Sequence, residues 1–226
     1  LPLQQAGISI QELPPKLLQS KYDTYSQVDG TIYALPFDPS VQLFLYRSDL
    51  FNNAKIRRAY YETNHEQLEI PTSIEQYLRI AEFFTKKFNP ESPTAYGATM
   101  TNGTAAIVAS DFLPFFLEKV TELYDSNRCI QINVPEMVSS MQQYKQMEQY
   151  TCQQSWWKDS VRQFANDQAA TTVVYSNYAA DIMDSRHSNV VGKVGAAIIP
   201  GGRPLLGGGV IGISRYCKNL EACRQF

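Results

Sequence analysis

The run TIYALPFDPSVQLFLYRS, Thr31 to Ser48, limits what this chain can fold into more than any other stretch. Its two apolar arms, 32–35 and 41–46, read as strands interrupted at Pro36-Phe37-Asp38-Pro39. Neither arm alternates polar with apolar residues as a half-exposed hairpin strand does, so both belong inside a sheet covered on both faces. Further strand-like runs are AYGATM, a short one after Cys129 that reaches Val134, TTVVYS from Thr171, and the segments 193–199 and 209–214.

Helical patterns lie between them. In PTSIEQYLRIAEFFTKKF, Ser73 and Gln76 fit a capping box, and Ile74, Tyr77, Leu78, Ala81, Phe84 and Phe88 fall on one helical face. AAIVASDFLPFFLEKV reads as a helix that Pro114 breaks or kinks. Pro135 opens a helix carrying Met137, Met141, Tyr144 and Met147, a shorter one covers 157–165, and CKNLEACRQF starts one that stops at Phe226. Residues 1–30 are polar and turn-rich, with Pro14-Pro15 and Asp29-Gly30 as punctuation. Strands alternating with helices in this way predict an α/β fold.

A chain of 226 residues makes one large domain or two small lobes. Twenty basic residues against twenty-two acidic ones, with no basic block, argue against nucleic acid or an anionic membrane as the main partner. No apolar run approaches the ~18 residues that span a bilayer. The chain starts at Leu1 without a methionine and reads as a piece of a longer protein. Fourteen tyrosines exceed eleven phenylalanines, which suits a protein with wet, apolar-faced surfaces such as a carbohydrate cleft.

Catalytic and metal motifs are not found. The glycine-rich segment 201–209 has no GxxxxGK[ST] or GxGxxG spacing, and no GxSxG or HExxH occurs. His65 and His187 lie in polar runs and read as solvated surface side chains. Cys129, Cys152, Cys217 and Cys223 lack CxxC spacing, so two disulfides and four buried thiols both remain open. Cys217 and Cys223 cannot pair inside one regular helix, only across a helix that starts after Cys217.

Three apolar strands end in turns rich in polar or aromatic groups: LPFDPS, YSNYAAD and PGGRPLLGGG. Ligands of α/β sheets bind where strands end. Asp38 either accepts from ligand hydroxyls or caps a turn before Pro39; Tyr178 either stacks on a ligand or belongs to the core. Glycines 207, 208 and 209 either admit a ligand close to the backbone or only serve turns.

Four segments, in order, resemble the family 1 extracellular solute-binding proteins, the maltose-binding-protein-like receptors of bacterial ABC importers. They are DGTIYALPFDPSVQLFLYRSDLF, PTSIEQYLRIAEFFTKKFNPESPTAYG, ATTVVYSNYAADIM and VGKVGAAIIPGGRPLLGGGVIGIS, and together they span about Asp29 to Phe226. The resemblance implies a periplasmic-binding-protein-like (type II) fold of two α/β lobes joined by hinge strands. Residues 1–38 would be part of the first lobe and a crossover strand, 39–198 the second lobe, and 199–226 the return crossover with another part of the first lobe. The implied function is extracytoplasmic capture of a sugar or similar polar solute by hinge closure and its delivery to ABC permease subunits, from the periplasm or a lipid anchor. No catalysis, metal or cofactor is implied. Asp38, Tyr178, Gly207, Gly208 and Gly209 are the implied ligand contacts, while Ile74 and Val210 stand where the family motif carries tryptophan. Trp156 and Trp157 are further candidates that no family motif marks. On the same fold, a ligand-sensing domain of a regulator or receptor is the alternative function.

Overall fold

The computed structural model describes residues 1–9, 23–132 and 134–226; Pro14-Pro15 lie outside the described residues. Along the chain come β1 (Gln27–Val28), β2 (Thr31–Ile32), β3 (Ala34–Arg47), α1 (Ala54–Asn64), α2 (Ile74–Phe83), β4 (Ala98–Thr101) and α3 (Ala105–Leu117). They are followed by α4 (Pro135–Met147), β5 (Thr151–Gln154), α5 (Trp157–Ala165), β6 (Thr171–Tyr175), β7 (Val194–Ala197), β8 (Leu206–Gly212) and α6 (Leu220–Gln225). The chain divides into two compact units, Leu1–Val41 with Leu206–Phe226, and Gln42–Leu205.

In the first unit, β1 and β2 form a hairpin whose turn is Asp29-Gly30, both with positive φ (49° and 76°), the backbone a two-residue hairpin requires. The first part of β3 pairs antiparallel with β8. The two arms expected at 32–35 and 41–46 are therefore one strand. Its register against β8 jumps between Phe37 and Ser40, so Asp38 and Pro39 form a bulge. A bulge tolerates proline because its N–H is not needed by the ladder.

In the second unit, β3 continues between β6 and β7, antiparallel to both. β4 and β5 are parallel. Residues 96–97 run parallel to the start of β6, with Tyr96 N–H donating to Gln168 O and Thr171 N–H to Gly97 O. The sequence of neighbours is thus β5-β4-β6-β3-β7. Phe44 and Leu45, successive residues of β3, are both buried, in separate clusters. Phe44 meets Ile74, Tyr77, Leu78 and Ala81 of α2, Phe115 of α3 and Met147 of α4. Leu45 meets Val161 and Phe164 of α5 together with Ile182. Both faces of the later part of β3 are covered, as its lack of alternation requires. The first arm is more open than expected, with Tyr33 exposed, as is Phe37 just after it.

Helix α2 starts where its cap predicts: Ser73 Oγ accepts from Gln76 N–H at 3.2 Å, and Gln76 Oε1 accepts from Thr72 N–H at 2.8 Å. It ends at Phe83, before the expected Phe84 and Phe88, and the Thr85 hydroxyl donates to Ala81 O at 2.6 Å. Pro114 does not break α3. Proline removes the N–H that would bond Ser110 O, and the Gln42 side chain donates to that carbonyl instead, at 3.0 Å. The strand expected to reach Val134 is absent among the described residues, where Ile130 forms only a single bridge to Tyr124. Strand β8 begins earlier than the expected Gly209 because Leu206 and Gly207 pair with Val41 and Ser40.

Candidate functional site

Three parallel strands of the second unit end at one edge of the sheet: β4 at Thr101, β5 at Gln154 and β6 at Tyr175. Asn102 follows the first, Trp156-Trp157 the second and Ser176–Tyr178 the third. The loops outside the carboxyl ends of parallel strands are where such sheets meet ligands. The Trp156 and Trp157 rings lie 5.2 Å apart and are tilted by 56°, while Trp157 meets Tyr175 edge to face at 5.5 Å. Trp156 is 47% exposed; Trp157 and Tyr175 are half-buried. The result is an aromatic patch with an open side, the kind of surface on which an apolar ring face stacks.

Polar groups adjoin the patch. Tyr175 Oη and Ser110 Oγ share a hydrogen bond of 3.0 Å, and Asn102 Nδ2 donates to Gln153 Oε1 at 2.6 Å. Helices α3 and α5 begin at the same edge, and neither Thr104 nor Trp156 makes a side-chain cap hydrogen bond to the turn that follows it. Tyr178 lies in a short 3-10 turn and packs partly against the cluster of Val161, Phe164 and Ile182.

The Asp111 carboxylate, on α3, is turned inward. Its Oδ2 accepts from Thr101 N–H at 2.8 Å and from the Thr101 hydroxyl at 2.6 Å, and the Trp157 side chain adds a further hydrogen bond. Burial pushes its pKa up to about 6, and the Thr101 bonds only partly offset this. A cavity of about 30 Å³, enough for one water, adjoins it between Tyr77, Thr99 and Phe115. The folded chain therefore binds more protons at Asp111 than the unfolded chain between about pH 4 and 6. Its contribution is fully present below about pH 4 and is lost as pH rises through 6. The Asp111→Asn variant is expected to gain about 2 kcal/mol relative to the parent between pH 4.5 and pH 8. Urea unfolding of both proteins at the two pH values measures this; a parent–variant difference independent of pH would contradict it.

The other predicted site residues belong to the first unit. Asp38 is exposed, with φ of 51°, in the β3 bulge. Gly207 pairs with Ser40 and Gly209 with Phe37, leaving Gly208 opposite the bulge. Gly208 has φ of 108°, and a Cβ there would sit 2.4 Å from the Asp38 carbonyl oxygen. The strand itself therefore requires glycine at 208. The structure brings Trp156 and Trp157 together in one unit, and Asp38 and Gly208 together in the other.

Sequence reasoning passed over Tyr175, Asp111 and Asn102. Tyr175 carried a usable signal, being the last residue of a β-branched run. Asp111 carried none, because its meaning depends on Thr101 facing it across a strand-to-helix turn.

A groove of about 760 Å³ between α5 and residues 184–189 lies elsewhere in the second unit. Arg186 pairs there with Asp184 and Arg162 with Asp159, and His187 is exposed at its rim. His65 is also exposed. Among the described residues, no helix is long and apolar enough to cross a membrane.

A family model described as "Bacterial extracellular solute-binding protein" matches residues 3–226. No curated protein matches the chain by sequence. Among solved structures, the chain is similar to an ABC transporter solute-binding protein from Agrobacterium radiobacter in complex with ribitol, at 23% identity and a TM-score of 0.72, covering 99% of this chain and 53% of that one. It is similar to maltose-bound MalE3 of T. maritima at 22% identity and 0.71, covering 100% and 55%. It is also similar to the GacH receptor of Streptomyces glaucescens at 17% identity and 0.74, covering 100% and 54%. The chain spans about half the length of these proteins.

Proposed function

Because the chain belongs to the bacterial extracellular solute-binding protein family, we propose that it is the solute-capturing part of an extracytoplasmic receptor. The solute is a sugar, polyol or similar polyhydroxylated molecule, and the receiver is the membrane permease of an ABC importer. The observation that carries this reading is the patch of Trp156, Trp157 and Tyr175 at the carboxyl ends of three parallel strands. A pyranose or polyol offers C–H faces to such rings and hydroxyls to the polar groups beside them, here Asn102, Ser110 and the first-turn amides of α3 and α5. Ribitol and maltose in two of the similar structures support the ligand class. Tyr178, Asp38 and the exposed glycines 208 and 209, with Gly207, are the other contacts in this reading. The chain passes between its units at 41–42 and 205–206, and those crossings are where the reading places the hinge.

Calorimetric titration of the full natural chain with maltose, ribitol, mannitol and other sugars and polyols tests the proposal. We expect binding to at least one of them. Trp157→Ala should weaken that binding by a factor of about 10–100, since truncating an aromatic anchor of a binding site costs roughly 1–3 kcal/mol. Tyr61→Ala, an exposed ring on α1, should leave it unchanged. Heat from none of these solutes, or equal affinity in the Trp157 variant, would remove the sugar-receptor reading.

A further inference from the structure

Cys217 and Cys223 stand on either side of the start of α6. That helix begins only at Leu220, with the Asn219 side chain accepting from Ala222 N–H at 3.1 Å. Cys217 belongs to the preceding turn, where its N–H donates to Ser214 O at 3.0 Å. On one continuous helix, six positions would set the two residues about 9 Å apart along the axis. The turn folds back instead, and the two sulfurs lie 3.1 Å apart. A covalent S–S bond is ~2.05 Å, so closure needs about 1 Å of side-chain movement. The other two cysteines have separate surroundings: Cys129 is exposed and points to Asn127 O, and the Cys152 sulfur accepts from the Gln154 amide. Hydrogen bonding with Cys217 also pushes the Cys223 thiol up, as expected of two thiols in direct contact.

We propose that Cys217 and Cys223 are a redox modification site whose disulfide clips α6 in place. One thiolate of the pair attacks a sulfur of an external disulfide, such as glutathione disulfide or an exported thiol oxidoreductase, and releases one thiol. The second cysteine attacks the mixed disulfide and releases the other. Two protons and two electrons leave the pair, one S–S bond forms, and the external disulfide is reduced to two thiols.

What the clip holds is visible in the first unit. A six-residue helix has little stability of its own. Arg224 of α6 donates from Nε to Ala6 O at 2.6 Å, and its guanidinium covers Gly7 so closely that a Cβ there would lie 2.7 Å from Nη2. The Leu1 amino group donates to Ile213 O at 2.7 Å. Ala222 and Phe226 line an apolar cavity of about 780 Å³ with Leu3, Ile8, Leu35 and Ile211. The bond at the root of α6 thus governs whether the helix keeps its hold on the 3–7 turn.

The test uses the full chain treated with glutathione disulfide or with dithiothreitol, alkylated with iodoacetamide, and cut with trypsin. After oxidation, the peptide of residues 216–218 should be joined to that of residues 219–224, with Cys129 and Cys152 alkylated. The oxidised protein should melt about 3–8 °C above the reduced one. Cys217→Ser should remove that difference while matching the reduced parent. Alkylation of all four cysteines after oxidation, linkage to Cys129 or Cys152, or equal melting of the oxidised and reduced parent would each overturn the proposal.

Discussion

Replacing Gly97 by alanine is expected to cost about 4 kcal/mol or more, a large part of the stability of an ordinary domain. Gly97 has no special φ; space alone excludes a side chain. A Cβ there would lie 1.8 Å from the Ala81 carbonyl oxygen and 2.4 Å from the Ala81 Cα, in the buried face of α2. Neither partner can move aside cheaply. The Gly97 N–H bonds Tyr150 O at 3.1 Å and Thr85 Oγ1 at 2.9 Å, and its carbonyl accepts from both the Thr171 N–H and the Thr171 hydroxyl. These bonds join β5, β4 and β6 at the point where α2 crosses them, so a shift would disturb the sheet that carries the aromatic patch. Gly192 is the control, with φ of +77° and nothing within 4 Å of an added Cβ. Alanine there meets only the left-handed backbone cost of about 1 kcal/mol. Chemical unfolding of the two variants separates the cases; a Gly97→Ala protein as stable as Gly192→Ala would refute the close approach.

Arg47→Met should be nearly as damaging, at about 2–4 kcal/mol. The Arg47 side chain is only 5% exposed, and it binds the Asp49 carboxylate through Nε at 2.7 Å and Nη2 at 2.6 Å. Nη1 pairs with Asp167, in the turn before β6. Methionine keeps much of the buried stem and removes the fork, leaving two carboxylates without their cation. Both are partly exposed, so water recovers some of the loss, which is why the expected cost is below that of a fully buried pair. Burial by itself would raise the Asp49 pKa, but the Arg47 hydrogen bonds and charge outweigh it and hold the carboxyl below its usual value. Stability from this pair is therefore present above about pH 4 and lost as pH falls through the lowered pKa. Unfolding measured at pH 7 and pH 3 should show a large parent–variant gap at the first and a smaller one at the second. An equal gap at both would deny the ionic origin.

Helix α2 was legible because everything that specifies it is local: the Ser73 cap, a three- and four-residue apolar rhythm, and a turn behind it. The burial of the later part of β3 was legible for a similar reason, since Phe44 and Leu45 point to opposite faces whatever covers them. Pro114 was not. Its tolerance in α3 depends on Gln42, sixty-eight positions away from the freed Ser110 carbonyl. The bulge at Asp38-Pro39 was likewise hidden, because two prolines and an aspartate read as an interruption until Gly208 is seen opposite them. The tryptophan pair carried no periodic or motif signal, and only the parallel pairing of β4 and β5 sets it beside Asn102 at a strand-end edge.

By itself, then, the sequence determined the α/β class, the main helix and strand, the order of four family-like segments and the low net charge. The class, the helix, the strand and the charge follow from side-chain periodicity, local caps or composition, and the order of the segments from resemblance to a known family. Arg47, Asp49 and Gly97 stood within those segments as letters of a pattern without a stated job. Tertiary structure alone assigned the jobs. Asp167 reaches Arg47 and Ala81 lies against Gly97 through contacts that no local spacing encodes. Close approach between distant segments depends on how the elements cross, and crossing is settled by packing of the assembled core.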